Sequence, residues 1–453
     1  MTRILMIAHG HPDLGVGGGE IAAYRQCQEL RARGHEVLFM GRIAEPSGHG
    51  GTVFSVRDAG LSVPDPSRQD VLFHSPDFDH FRFSQRAKWA VYKEFRSLLD
   101  RFAPEVVHFH HYVHLGLELI REVRKYSGAV PIVLTLHEYL AICNNHGQMI
   151  KTEAAKAPGR LCDRAGPADC HACYPDRSPQ DFFLRERFIK SFFSLVDAFV
   201  CPSEFLLGRY AQWGIAREKL VLLENGQPAI PADTSGDTQA ESLCRRFAFF
   251  GQVSELKGVP LFLDAIDALP DTLRERLAFD IHGTLHHQSE EFRRNFAARV
   301  AASGDGVRFH GGYRPADLST LMRRIGWVVV PSIWWENSPL VIQEAFNHGR
   351  PVICSNIGGP AEKVADGVTG LHFIAGDAGD LAERIGQAAD AGLWASLRRN
   401  IRPPLSIGEA AQRHLDLYQR LALRRAPAPS PVPTPAAAAA ASAPARRLAR
   451  RAK

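Results

Sequence analysis

The chain has 453 residues, of which 45% are hydrophobic and 23% are charged, a composition typical of globular proteins with a large interior. This length favours two or three domains over a single core. The net charge of +5 comes from 54 Lys and Arg against 49 Asp and Glu, and five of the cations lie within residues 446–453. A broad basic face for nucleic acid is therefore excluded.

The first apolar run, Ile4–His9, is too short for a signal peptide and predicts a buried strand. No run has the length needed to span a bilayer, so we expect a cytoplasmic protein. Further apolar runs alternate with helix-length amphipathic stretches, which is the pattern of doubly wound parallel sheets. The other strands predicted in the first half are Glu36–Gly41, Val106–His111, Ile132–Glu138, Ala198–Ser203 and Lys219–Asn225. Those of the second half are Phe247–Gln252, Ala278–Gly283, Val307–Gly311, Trp327–Ser332 and Pro351–Asn356.

A turn-rich stretch, residues 226–238, predicts a linker between the two halves. The strand pattern restarts after it, so two Rossmann-like domains in tandem are the simplest organisation. Beyond residue 425 the chain is rich in Pro and Ala, and we expect the tail 426–453 to be disordered. Its basic end either aids solubility or is weakly attracted to an anionic membrane surface, which here means the inner membrane face.

The segment after the strand Trp327–Ser332 carries strong helix-boundary signals. Ser338 is a suitable N-cap, Pro339 suits the first helical turn, and Gly349 suits the C-terminal exit. In open α/β sheets ligands bind at the carboxyl ends of strands, and helix N-termini favour anions. The sequence therefore predicts a phosphate site at the start of a helix over Pro339–His348.

Two amides and two carboxylates complete this site. We expect the free amides of Leu340 and Val341 to point into a cleft, while Glu336 precedes the helix and Glu344 lies two turns inside it. Carboxylates in such places can accept hydrogen bonds from sugar or ribose hydroxyls. Seven residues separate the two glutamates, and a Gly-Gly-Pro segment follows at 358–360. The whole segment closely resembles the E-x7-E signature of retaining GT-B glycosyltransferases, especially family 4.

The resemblance covers nearly the whole predicted folded chain and implies an α/β architecture of the GT-B type. Two Rossmann-like, doubly wound domains then face each other across a cleft. Residues 1–228 form the acceptor domain, with a cysteine-containing insert at 140–178, and residues 245–404 form the nucleotide-sugar donor domain. A C-terminal helix, 405–425, returns to pack on the N-terminal domain.

Two glycine-containing segments are similar to the parts of this family that hold the donor diphosphate. Gly17-Gly18-Gly19-Glu20 resembles the family's glycine loop, where absent side chains let the backbone approach phosphate; a plain turn before a helix is the alternative. The segment from Gly251 to Gly258 resembles the family's Gly-Arg…Lys-Gly segment, whose two cations clamp the diphosphate. Gln252 stands at the arginine position, so Lys257 must act with backbone amides, unless it is an ordinary solvated lysine.

Two further positions follow strands. His137 resembles the family histidine that reaches into the cleft near the donor sugar and phosphate, although a lone histidine at a strand end is more often structural. Gly283, after His282, is expected to lie near the donor base or phosphate. His108 and His110, and His111 and His114 after them, are cleft-lining or structural.

The insert departs from the family pattern. It contains Cys143, Cys162, Cys170 and Cys173, the last two as a C-x2-C pair. Four thiolates suit a tetrahedral, structural Zn²⁺ site, and four reduced cysteines in a loop are the alternative. In either case the insert should border the acceptor side of the cleft.

The resemblance implies that a hexose-type sugar is transferred from a nucleotide-diphosphate sugar with retention of configuration. The implied acceptor is a glycan or a lipid-linked molecule, and the implied process is the synthesis of cell-surface polysaccharide or glycolipid. Its implied catalytic residues are His137, Glu336 and Lys257, without a catalytic cofactor. Another GT-B nucleotide-sugar enzyme, such as an epimerase or phosphorylase, and a non-catalytic sugar-binding scaffold remain open. An NAD-dependent oxidoreductase is disfavoured because the first strand lacks G-x-G-x-x-G and Gly41-Arg42 ends the second.

Overall fold

A computed structural model describes residues 1–14, 17–43, 53–58, 69–75, 77–155, 159–230, 240–286 and 288–425. The predicted disordered tail, 426–453, and its membrane contact lie outside the described residues, as does most of the predicted linker. Two separate, largely parallel sheets organise the described chain.

The first sheet has eight strands in the order β10-β9-β8-β7-β1-β2-β4-β3, and only β3 runs antiparallel to its neighbour. Its strands are β1 Arg3–Ala8, β2 Glu36–Arg42, β3 Val53–Asp58, β4 Gln69–His74, β7 Val106–Phe109, β8 Ile132–Thr135, β9 Ala198–Cys201 and β10 Leu220–Leu222. A small antiparallel pair, β5 Phe78–Asp79 and β6 Ser84–Gln85, precedes β7. The helices are α1 Gly18–Ala32, α2 Lys88–Phe102, α3 Glu118–Tyr126, α4 Pro167–Cys173, α5 Pro179–Phe193 and α6 Glu204–Gln212.

The second sheet has six parallel strands in the order β13-β12-β11-β14-β15-β16. They are β11 Arg246–Phe250, β12 Ala278–His282, β13 Val307–Gly311, β14 Trp327–Val330, β15 Val352–Ser355 and β16 Gly370–Phe373. Its helices are α7 Ala240–Leu243, α8 Val259–Asp267, α9 Asp271–Arg274, α10 Glu290–Ala302, α11 Leu318–Met322, α12 Leu340–Asn347, α13 Gly358–Lys363, α14 Ala378–Ala388 and α15 Ala391–Asn400. A last helix, α16 Ile407–Arg425, follows.

Every strand predicted from an apolar run is present, with ends that differ by a few residues. The central strands are wholly buried because helices cover both faces of each sheet, which explains their solid apolar sequences. Strands β3, β4 and β16, and the short pair β5 and β6, were not predicted; β16 begins with a glycine. That glycine is required, since a Cβ on Gly370 would lie 2.1 Å from the Val352 carbonyl oxygen of β15.

The C-terminal helix α16 returns to the first sheet, as predicted for this fold class. Its apolar face joins the buried cluster around Ile4 and Met6 of β1. The Tyr418 hydroxyl lies 2.6 Å from Nδ1 of His108 on β7 and accepts a hydrogen bond from Gln26 of α1. Helix α16 therefore fastens the segment after the second sheet to the N-terminal half.

Of the helices in the described residues, none has the length and apolarity needed to traverse a bilayer.

Candidate active site

A cavity of about 270 Å³ lies between the two sheets. Its walls come from the start of α1, the residues after β8, the residues after β14 and the start of α12. Both β8 and β14 end at this cavity, so it occupies the position where ligands bind in open α/β sheets.

Seven of the residues predicted from the sequence line this cavity; they are Gly18, Gly19, His137, Lys257, Glu336, Ser338 and Leu340. Glu20, Gly251, Gly283, Val341 and Glu344 were also predicted but are not part of its lining. The structure thus brings seven predicted residues from distant chain segments together at the cavity. The other five predicted residues do not line it.

Lys257 and Glu336, the two charged residues among these seven, form an ion pair. Lys257 Nζ lies 2.5 Å from Glu336 Oε1, and the Glu336 side chain is only 7% exposed. The same oxygen accepts hydrogen bonds from Ser332 Oγ at 2.8 Å and from Trp334 Nε1 at 3.2 Å. Lys257 also stands 5.7 Å from the centre of the Trp334 ring. A half-buried cation is therefore held at the cavity by a fixed carboxylate.

His137 forms another wall of the cavity. Its Nε2 lies 3.3 Å from Nδ1 of His110, and the two rings stack. Burial, reinforced by the neighbouring His9, lowers the pKa of His137 to about 4. The imidazole is therefore neutral at pH 7, so it can donate or accept one hydrogen bond toward a ligand but brings no positive charge.

The glycine segment forms the start of α1, which begins at Gly18. A Cβ on Gly19 would lie 3.4 Å from the His137 ring, and one on Gly18 would lie 3.5 Å from Leu340 of the second domain. Glu20 pairs with His9 at 3.0 Å; burial opposes ionisation, yet His9 holds the pKa of Glu20 below its ordinary value. A side chain larger than a methyl group at Gly18 would therefore press against Leu340 across the domain boundary.

The prediction that Ser338 is the N-cap of α12 is wrong. The helix begins at Leu340 and its N-cap is Pro339, which has no side-chain hydrogen bond to offer. Pro339 has an extended ψ of 119°, and the helix starts at the residue after it. Ser338 is displaced from the capping position, and its buried hydroxyl has no hydrogen-bond partner among the described residues.

Two of the predicted glycines pack against each other. A Cβ on Gly283 would lie 1.7 Å from the Gly251 carbonyl oxygen, and Gly251 itself has a φ of 140°. This close approach explains why both positions are glycine. Their contact with a donor stays a prediction.

Glu344 lies on α12 outside the cavity lining. Its carboxylate is 15% exposed and stands 4.0 Å from Arg25 of the first domain. Burial raises the pKa of Glu344, and Arg25 opposes that shift. The role of Glu344 toward a ribose, and that of Val341 toward a phosphate, stay predictions.

Seven lining residues were not predicted; they are Glu138, Tyr139, Asn225, Trp334, Trp335, Asn337 and Pro339. Three lining residues carry buried polar atoms without a partner among the described residues, namely the Tyr139 hydroxyl, the Trp335 indole nitrogen and the Ser338 hydroxyl. Since buried polar groups are nearly always paired, these atoms mark a place where a polar ligand can bind.

Asn337 connects the two domains at this cavity. Its Oδ1 accepts a hydrogen bond from Ser203 Oγ at 2.7 Å, and its Nδ2 donates to the carbonyl of His137 at 3.2 Å. Nearby, the Glu362 carboxylate accepts hydrogen bonds from the backbone amides of Glu204 and Phe205 at the start of α6. The width of the cavity is therefore set by hydrogen bonds across the cleft.

Glu138 is the unpredicted residue with the strongest electrostatic signature. Burial raises the pKa of Glu138 to about 7, although the Leu140 amide opposes the shift by donating a hydrogen bond to the carboxylate. Strongly perturbed carboxyl groups in clefts are often functional. Its place directly after His137 was the only sequence signal that pointed to it.

We expect Glu138→Gln to remove a pH dependence of stability. Between pH 4.5 and about 7 the folded state binds more protons at Glu138 than the unfolded state, so stability falls as pH rises through this window. The free energy of unfolding of the variant minus that of the wild type should be up to roughly 3 kcal/mol larger at pH 8 than at pH 5. Denaturant unfolding at both pH values measures this, with exposed Glu290→Gln as control. An equal difference at both pH values would contradict the assignment.

The four predicted metal ligands lie apart from this cavity. Cys143, Cys162, Cys170 and Cys173 line a separate small cavity within the insert.

Comparison with known proteins agrees with this fold. Residues 16–227 match the family model described as Glycosyltransferase Family 4, and residues 243–402 match that of Glycosyl transferases group 1. Glycogen synthase of Mycobacterium tuberculosis is 26% identical over 410 residues, which cover 86% of this chain and 86% of that protein.

A second curated relative matches over a shorter region. Lipopolysaccharide 1,2-N-acetylglucosaminetransferase of Salmonella typhimurium is 29% identical over 129 residues, or 28% of this chain, and the match spans only 34% of that enzyme. Among solved structures, HepE of Anabaena in complex with UDP and glucose superposes with a TM-score of 0.62 at 15% identity, covering 93% of this chain and all of that one.

Proposed function

Because this chain belongs to the family 4-like glycosyltransferases with the GT-B fold, we propose that it transfers a hexose-type sugar from a nucleotide-diphosphate donor with retention of configuration. The observation that carries the proposal is the Lys257–Glu336 pair in the cavity between the domains. A fixed cation beside a carboxylate can hold a diphosphate and a sugar hydroxyl next to each other.

The proposed donor position follows from the charges around the cavity. Lys257 and the free amides at the start of α12 face the diphosphate, since the first amides of a helix lack intrahelical partners. Glu336 accepts hydrogen bonds from the donor sugar, and Ser338 offers its unpartnered hydroxyl. The Anabaena protein that this chain resembles holds UDP and glucose, which supports a nucleoside diphosphate sugar as the donor class.

In the proposed reaction the bond between the anomeric carbon and the diphosphate breaks while an acceptor hydroxyl attacks from the same face to form the glycosidic bond. The proton of that hydroxyl passes to the departing diphosphate oxygen. The negative charge that develops on the leaving diphosphate is stabilised by Lys257 and the α12 amides. Neutral His137 orients sugar and phosphate by hydrogen bonding. Lys257 and the α12 amides supply the positive potential in this proposal, which includes no catalytic metal.

The proposed acceptor is a glycan or a lipid-linked sugar, used in the cytoplasm or at the inner membrane face for cell-surface polysaccharide or glycolipid synthesis. A larger cavity of about 460 Å³ lies beside the insert and includes Arg209 and Trp213. The Arg209 guanidinium stacks over Trp335 at 4.7 Å, so this cavity adjoins the wall of the donor site. Aromatic and charged groups together suit binding of a sugar chain.

The proposal is tested by a thermal-shift screen against GDP, UDP, ADP and dTDP sugars. We expect one nucleotide family to raise Tm, because ligand bound only to the folded state stabilises it. Glu344→Ala should abolish that rise if Glu344 holds the ribose, whereas Glu290→Ala, on the exposed face of α10, should keep it. No rise with any nucleotide, or a rise that survives in Glu344→Ala, would contradict the proposed site.

Product analysis separates the remaining alternatives. In a retaining transferase, the nucleoside diphosphate and the glycosylated product form at the same rate, and the product keeps the anomeric configuration of the donor. Isomerised donor would indicate an epimerase-like enzyme, and binding without any turnover would indicate a sugar-binding scaffold.

A further inference from the structure

We propose that Cys143, Cys162, Cys170 and Cys173 bind one Zn²⁺ ion as a tetrathiolate site that fixes the insert against the wall of the donor cavity. The four side chains come from three separate pieces of chain. Cys143 lies in the turns after β8, Cys162 follows the isolated bridge between Ile150 and Leu161, and the other two lie on α4.

The four thiols surround one enclosed space. They all line the same cavity of about 20 Å³, which is the volume of a single water-sized occupant. Cys170 and Cys173 are three residues apart on α4, so their side chains share one helix face. The remaining four cysteines lie far from this cavity, in α1, β9, β15 and the residue after α7.

A buried cation lies beside these sulfurs. Arg185 of α5 is only 3% exposed, and its guanidinium donates to the neutral carbonyls of Phe81, Leu140 and Ala141 at 2.6–2.9 Å. Ala141, one of its acceptors, is two residues from Cys143, so this cation is held beside the first of the four thiols. An uncompensated buried charge is costly, and an anionic metal–thiolate centre would compensate it.

Binding is a proton-release reaction without electron transfer. Four S–H groups lose four protons to solvent, and four Zn–S bonds form, which leaves a centre of net charge −2. Arg185 and Lys151, which lines the same cavity, offset that charge. Metal affinity should therefore fall as pH is lowered.

The site must contract when it binds metal. Among the described residues, only one group has three ligand atoms all within 4.8 Å of one another, and it consists of Asp280, His282 and His310. No three of the four sulfurs are that close together. They therefore stand further apart than in a closed zinc site, where Zn–S bonds are about 2.3 Å. The histidine group is a poorer candidate because its two rings stack at 4.4 Å and 12°. Because the two rings are parallel, their nitrogen lone pairs do not point toward one common ion. In addition, Nε2 of His310 already lies within hydrogen-bond distance of Asp280 Oδ1, at 2.7 Å.

A zinc centre here would act on the donor site through the chain. Tyr139 lines the donor cavity and Cys143 lies four residues later, with Leu140 and Ala141 between them held by Arg185. Helix α4, which carries two of the thiols, packs on α5. The metal would therefore be a structural fastener for the wall that carries His137, Glu138 and Tyr139.

Metal analysis of the full-length protein tests the proposal independently of any sugar transfer. We expect one zinc per chain by inductively coupled plasma mass spectrometry, and near-complete loss in Cys170→Ser and Cys173→Ser. Cys244→Ser is the matched control, since this buried thiol only donates to the carbonyls of Glu241 and Ala389 and should leave the zinc content unchanged.

A second measurement does not depend on the variants folding. Wild-type protein stripped of metal and titrated with Co²⁺ should develop thiolate-to-cobalt charge transfer and tetrahedral ligand-field bands at one equivalent. Absence of zinc from the purified protein together with a featureless cobalt titration would overturn the proposal, as would iron and sulfide with the broad visible absorption of an iron–sulfur cluster.

Discussion

Gly359→Ala is expected to destabilise the protein by about 1–3 kcal/mol and to remove most of its transferase activity. A Cβ at this position would lie 1.6 Å from the Asn337 carbonyl oxygen and 3.1 Å from that of Glu336. Both obstacles are backbone atoms, so no flexible side chain can move aside. Glu336, the proposed sugar-binding residue, and Asn337, which links the two domains, must shift together.

The effect on activity should exceed the effect on folding. Asn337 accepts from Ser203 and donates to His137 across the cleft, so a shift of its backbone changes the spacing of the two domains at the cavity. Thermal unfolding and nucleotide release measure the two effects separately. Gly208→Ala is the control, because nothing lies within 4 Å of a Cβ on this exposed residue of α6. Equal, small effects of both substitutions would contradict this account of Gly359.

Lys257→Met is expected to lower kcat/KM by about 10²–10³-fold, the range seen when one preorganised charge-stabilising donor is removed. Lys257 is the only lysine or arginine among the described residues that line the donor cavity. Gln252, which stands where this family has an arginine, is exposed and donates to the His286 carbonyl, so it cannot replace the lost charge. The variant also leaves the buried Glu336 carboxylate without its cation.

A continuous nucleotide-release assay gives kcat/KM for this comparison. Lys257→Arg is the matched variant, because it keeps the charge while changing the geometry, and it should retain more activity than the methionine variant. If methionine and arginine lower kcat/KM by the same factor, shape rather than charge explains the role of position 257.

The sequence predicted the fold well because buried parallel strands have solid apolar sequences. Runs such as Trp327–Val330 and Ile132–Thr135 are unambiguous. Strands β3, β4 and β16 were not predicted; β16 begins with a glycine that contact with β15 requires, a tertiary constraint that local sequence does not encode. The helix start at Leu340 was misplaced by one or two residues, since Pro339 and not Ser338 takes the N-cap position.

Part of the candidate site was predictable and part was not. The position of Glu336 and Lys257 followed from strand-to-helix junctions and from family resemblance, although their mutual ion pair joins residues 79 apart in sequence. Asn337 and Glu138 were missed for different reasons. Asn337 acts through hydrogen bonds to another domain, and the shifted pKa of Glu138 arises from burial, which becomes visible only in three dimensions.

The central claim is that a donor diphosphate binds at Lys257 in the cavity between the domains. Isothermal titration of wild type and Lys257→Met with the nucleoside diphosphate and monophosphate of the selected donor tests it most directly. We expect the wild type to prefer the diphosphate by about tenfold or more, equivalent to about 1.4 kcal/mol, and the variant to lose most of this preference. An unchanged preference in Lys257→Met would show that the diphosphate binds elsewhere.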